Sequence, residues 1–194
     1  MNEEATSCKT LTKNIMFPVK GIESIEFAPV GANGTLPSTG WVKVTDIEMG
    51  SVSIDIPEAT RTKVKVEDKP GVWAVIAEEG DGATVTLKSL NLEPVAADLL
   101  FKGLTTSTST NKFEAPIDGA TNVQLAFRLT TKPRMGNKMV FVILNGAVTA
   151  NLQNTITKDG ADFLAIGATV EATAVSDAEG VALAPWYYEK TPVA

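Results

Sequence analysis

Between residues 123 and 144 the chain is written in the period of a β-strand. In NVQLAFRLTTKP, Val123, Leu125, Phe127 and Leu129 alternate without a break, which puts four apolar side chains on one face. The run from Met139 to Leu144 is apolar throughout, as expected of a strand covered on both faces, and far too short to span a bilayer. A chain built around two such neighbouring runs must bury a sheet. A continuous helix would scatter the alternating residues over its whole circumference.

The same period recurs on either side. VKGIESIEFAPV predicts a strand over about Lys20 to Ala28, with a bulge where Ile22 falls out of step with Ile25 and Phe27. WVKVTDI reads as a short strand, GVWAVIA as a strand buried on both sides, and ATVTLKSLNL as a strand carrying Val85 and Leu87 inward. EPVAADLLFKG breaks the pattern. Pro94 sits where a first-turn proline is tolerated, Val95, Leu99 and Leu100 follow at helical spacing, and Gly103 ends the run, so a helix is expected over about residues 94–102. KMVFVILNGAVTANLQNTITK reads as a buried strand, a break at Gly146 and a more polar strand. DGADFLAIGATVEATAV adds a turn and a strand, and LAPWYYEK a last strand.

The expected fold is therefore mainly β: an antiparallel β-sandwich or barrel of nine or ten strands, with one flanking α-helix and a long extended hairpin arm. At 194 residues one domain suffices, so residues 1–18 are read as a polar N-terminal tail and 19–194 as a single β-rich domain. MNEEATSCKTLTKN opens on acids and lacks the apolar core of a secretory signal. The single cysteine, Cys8, excludes an internal disulfide and fits synthesis in a reducing cytoplasm.

The absence of histidine excludes most familiar hydrolase designs. There is no Ser/His/Asp or Cys/His nucleophile system and no His-based zinc site, and no phosphate-cradling glycine loop or nucleophile elbow appears. Three acidic groups sit in turns: Glu78, Glu79 and Asp81; Asp159 and Asp162; Asp177 and Glu179. None has calcium-loop spacing, and all read as solvated turn acids. The formal charge of −6 supplies no basic surface for nucleic acid. Arg128, Lys132, Arg134 and Lys138 crowd one hairpin turn, a pattern shared by a contact with nucleic acid, by one with an acidic patch on a neighbouring subunit, and by any exposed turn. APWYYEK reads either as a sugar-stacking platform or as three aromatics anchoring the last strand. No catalytic residue, metal or cofactor is assigned, and the chain reads as a binding or assembly protein before an enzyme.

GSVSIDIPEATRTKVKVED, Gly50 to Asp68, carries the strongest hint of assembly. It reads as a hairpin of about residues 49–68, with Val52, Ile54 and Ile56 on one side of its first strand and Val64 and Val66 on the same side of its second. A lone two-stranded ribbon is marginal in water, so this apolar side needs a cover.

The order of features from Gly21 to Glu189 resembles the tail tube proteins of long-tailed bacteriophages. The likeness rests on GWVKVTDIEMGSVSIDIPEATRTKVKVED, on GATVTLKSLNLEPVAADLLFKG, and on the second half from Asn137 to the SDAEG turn. It implies packed β-sheets with a flanking helix, hexameric rings, and rings stacked into a hollow virion tube that conducts DNA without specific binding. It further implies synthesis in the host bacterial cytoplasm, contact with other phage tail proteins and none with a membrane. An arm reaching adjacent subunits would make Val52, Ile54, Ile56, Val64 and Val66 interface positions. The polar tail and the long loop before Trp41 depart from the pattern and keep open a tail terminator, a neck protein or a secretion-tube protein of similar fold. A carbohydrate-binding or adhesion module is the alternative outside that family.

Overall fold

The computed structural model describes residues 19–58, 61–65, 67, 71–72, 74–77, 82–104, 111–116, 123–154 and 163–193. They form, in chain order, β1 (Ile22–Pro29), β2 (Val42–Val44), β3 (Ser53–Asp55), β4 (Arg61–Val64), β5 (Ala74–Ala77) and β6 (Thr84–Ser89), then helix α1 (Pro94–Lys102). The second half contributes β7 (Val123–Thr131), β8 (Asn137–Gln153), β9 (Ala165–Ala172), β10 (Val175–Ser176), β11 (Ala182–Leu183) and β12 (Trp186–Pro192). The chain is mainly β with one helix, and its principal sheet is antiparallel and eight-stranded.

That sheet runs β2-β1-β7-β8-β9-β6-β3, with β12 added on β8. Its axis is β8, seventeen residues long. Residues 137–143 of β8 pair with β12 and 146–153 with β9, while β7 lies along the other side at 140–143 and 146–148. Gly146, expected to break the strand, instead lies inside it. A β-carbon there would stand 2.6 Å from Cγ1 of Val170 and 3.2 Å from the Leu125 carbonyl oxygen. Close approach, not turning, is what requires glycine at this point. The register of β7 against β8 shifts between Leu125 and Phe127, opposite the same place.

Beyond β2 the chain returns to β6. Glu48 N donates to Lys88 O at 2.9 Å and Leu90 N to Asp46 O at 2.8 Å, which ties one end of the sheet toward the other. The core lies within this wrap. Ile25, Phe27, Leu125, Phe127, Leu129, Phe141, Ile143 and Val170 are buried there, and Phe27 meets Phe127 edge to face at 5.3 Å. Helix α1 covers β7 and β8 with Leu99 and Leu100 and ends at Gly103. That glycine adopts φ 69°, and its N–H is bonded to Leu99 O at 2.9 Å, the left-handed cap expected of a helix stop.

The bulge after Ile22 and the helix bounds match the sequence reading. Besides the break at Gly146, two expectations do not. The strands of the 50–68 stretch do not pair with each other: Ser53, Ile54 and Asp55 pair with Thr86, Val85 and Thr84, whereas Arg61 to Val64 pair with Ala77 to Ala74. Alternation identifies the apolar face of each strand and leaves its partner open. The core strand β6 takes the first, and the second joins β5 as a separate two-stranded ribbon. β5 itself was expected to be buried on both sides, yet Val72 and Val75 are exposed. β4 and β5 pack chiefly on each other, off the main sheet.

Candidate assembly surfaces

The five sequence-predicted interface residues divide. Val52 and Ile54 are half-buried and pack against the chain's own core. Ile56, two residues on, is exposed. Val64 is half-buried in β4, and Val66 lies outside the described residues. The structure therefore does not gather the five on one face. What it offers is a core-seated β3 followed by the outlying β4–β5 ribbon with Val72 and Val75 in solvent.

A second candidate surface was not legible from alternation. The four strands β1, β7, β8 and β12 form one antiparallel layer with an open edge on each side. Among the described residues β12 pairs only with β8, over all seven of its residues, and no other described strand lies along its second edge. On the far side β2 covers β1 from Ile25 to Phe27, and among the described residues the Ile22–Ser24 end pairs with β7 alone. The two edges stand at one height. Ser24 is opposite Thr130, Thr130 opposite Val140 and Val140 opposite Glu189. Open strand edges of this length template pairing with another chain.

Each face of this layer has its own chemistry. Trp186 shares the core face with its register partner Ile143 and stacks on Phe141 with ring centroids 5.6 Å apart. Tyr187 points to the opposite face and Tyr188 back to the core side, but at the rim, where it is 65% exposed. Strand alternation thus distributes the aromatic run: Trp186 anchors β12, and the three rings do not form one platform. On the second face a groove of about 380 Å³ runs between Glu23, Glu26, Arg128, Lys138, Tyr187 and Glu189. Arg128 donates to Glu26 at 2.8 Å through Nε, and Nη2 lies equally close to the same oxygen. Its guanidinium covers the ring of Trp41 at 4.2 Å. Lys138 Nζ stands 3.8 Å from Glu23. Burial pushes the Tyr187 hydroxyl above its ordinary pKa, as does the nearby Glu189 charge, while Arg128 opposes them.

Two bases of the 128–138 turn are thereby engaged by acids of β1. The turn acid Asp177 is also occupied, since Oδ1 accepts from Glu179 N at 3.0 Å and Val181 N at 2.8 Å. Glu78, Glu79, Asp81, Asp159 and Asp162 lie outside the described residues. Among the described residues no group of three or more His, Cys, Asp or Glu side chains is placed to hold a metal ion, and no helix is long and apolar enough to cross a membrane.

A second groove, of about 720 Å³, opens beside the free end of β1. Ile22, Val44, Ile47 and Val52 form its apolar floor, with Met49 almost wholly exposed at its lip. No protein-family model matches the chain, and neither does any curated protein.

Proposed function

We propose that this chain is a structural subunit that adds edge to edge into closed rings, which stack as a phage tail tube and serve as a conduit for DNA. The observation that carries the reading is the four-stranded layer β1-β7-β8-β12, open on both sides at one height. Because β1 and β12 run in opposite directions, β12 of one copy can add antiparallel beside the Ile22–Ser24 end of β1 of the next, beyond the stretch that β2 covers. This head-to-tail contact closes into a ring when the rotation per copy divides a full turn. The sixfold number and the phage context come from the sequence resemblance.

The polar face of the layer is compatible with a bore. Arg128 is held by Glu26 and Lys138 lies near Glu23, so the wall presents no run of free bases to phosphate. The outlying β4–β5 ribbon, with exposed Val72, Val75 and, just before it, Ile56, is suited to bridging copies. The carbohydrate reading gains no support from Trp186, which is turned to Phe141.

Light scattering on the purified chain, followed by electron microscopy, tests the proposal. Rings or tubes of uniform bore are expected, and a monomer that persists at high concentration overturns it.

A further inference from the structure

We propose that Ile15, Met16 and Phe17 lie along the groove beside the Ile22–Ser24 end of β1 in their own chain, and that this segment keeps the edge covered until a neighbouring copy takes its place. The docking stands on one chain alone; its effect on assembly rests on the tube reading above.

The groove exists because two strands part. β2 runs beside β1 as far as Val44, which is opposite Ile25, and the chain then leaves for β6, where Ile47 bridges to Ser89. Past that point the Ile22–Ser24 end of β1 pairs, among the described residues, with β7 alone. One wall of the wedge is residues 20–25 and the other residues 43–50. Ile22, Val44, Ile47 and Val52 floor it and pack on the core beneath. An apolar floor beside an open strand end is a surface that natural folds cover with another segment of chain.

The covering segment is identified by where the chain enters. The eighteen residues before Val19 lie outside the described ones, and they join the fold at the groove itself, since Lys20, Gly21 and Ile22 line it. Most of that stretch is polar, but close to the junction Ile15, Met16 and Phe17 form an apolar run. Such a run carries apolar groups to both faces of an added strand, so it meets the floor in either register.

The turn needed to bring it back is built in. Gly21 holds a left-handed φ of 78° directly before β1. With Val19 and Lys20 exposed ahead of it, that is the glycine position of a three-residue hairpin loop. A chain reversed over these three residues runs antiparallel to β1. Pro18, Phe17 and Met16 then fall beside Ile22, Glu23 and Ser24, before Val44 closes the wedge.

Tethering favours this occupant over a separate molecule. A segment joined to the groove by a few residues competes at an effective concentration on the order of 1 mM, well above that of dilute free copies. It covers the same end of β1 to which β12 of the next copy adds, so the two exclude each other and displacement becomes a step in ring growth.

For the test, the photoreactive residue p-benzoylphenylalanine replaces Met16 in one full-length variant and Phe17 in another. Isotopically heavy and light copies are mixed at a dilution where light scattering finds monomer. Irradiation should cross-link, within single copies, the tryptic peptide Asn14–Lys20 to Val44–Arg61, which carries Val44, Ile47 and Val52. No link to that peptide, or links only between differently labelled copies, overturns the docking. In a second arm, Met16→Ser with Phe17→Ser should oligomerise at about one-tenth of the parent's threshold concentration, as expected if the edge is open in about a tenth of parent molecules. An unchanged threshold overturns the role in assembly. If parent and variant both stay monomeric while the links within a copy form, the tube reading falls and the docking stands.

Discussion

Gly146 and Val170 are packed so closely across β8 and β9 that a β-carbon on the glycine would lie 2.6 Å from the valine Cγ1. The neighbours on the other sides are the Leu125 carbonyl oxygen and Ile143, so the methyl group of alanine has no direction in which to relax. Gly146→Ala is expected to destabilise the fold by about 1–3 kcal/mol, the usual cost of overpacking a tight core, read as a lower urea midpoint at unchanged m-value.

Ile54 and Ile56 belong to one alternating run and should respond oppositely to charge. Ile54 packs on the core, so Ile54→Asp is expected to cost about 2–4 kcal/mol, through lost burial and an unpaired carboxylate. Ile56 is 47% exposed, and Ile56→Asp should stay within about 0.5 kcal/mol of the parent in chemical denaturation. A loss of ring formation in Ile56→Asp at unchanged stability would mark that residue as an assembly contact. Unchanged assembly would remove it from the interface.

Arg128 serves two partners at once, Glu26 by hydrogen bond and Trp41 by stacking. A double-mutant cycle of Glu26→Gln and Arg128→Gln should return a coupling of about 0.5–1.5 kcal/mol in thermal or urea unfolding, since both side chains remain partly solvated. Removing the guanidinium should also change tryptophan emission, because Trp41 loses its cationic cover. A coupling near zero would make the pair incidental.

Tyr187 gives the fold a dependence on alkaline pH. Its folded-state pKa is raised, chiefly by burial, so the native protein holds the phenolic proton longer than the unfolded chain does. Its contribution is fully present below the unfolded value near 10 and is lost as pH rises through the folded value. Urea midpoints measured from pH 9 upward should fall faster in the parent than in Tyr187→Phe. Parallel curves would contradict the assignment.

Much of this architecture could be read from periodicity, because the signals were local. Phe127 and Leu129 alternate into the core as their spacing demands, and Pro94 and Gly103 bound a helix because each acts within one turn. Partner choice was not legible. Ile54 shows which face of β3 is apolar but not that Val85 stands opposite, since that pairing joins positions far apart in sequence. Gly146 was misread for a related reason: glycine marks both turns and close approaches, and only the position of Val170 distinguishes them. The aromatics of APWYYEK were singled out together, but the exposure of Tyr188 was not legible, since it follows from β12 lying at the margin of the layer.

The exchange of partners along β8 has a mechanical meaning. One uninterrupted backbone serves the layer with the open edges through residues 137–143 and the β9–β6 side through residues 146–153. A load applied at β12 therefore reaches β6 along covalent bonds and hydrogen-bonded ladders, with no slipping side-chain boundary between. Stretched from its ends, such a chain should rupture in one event, a property that the proposed conduit would use.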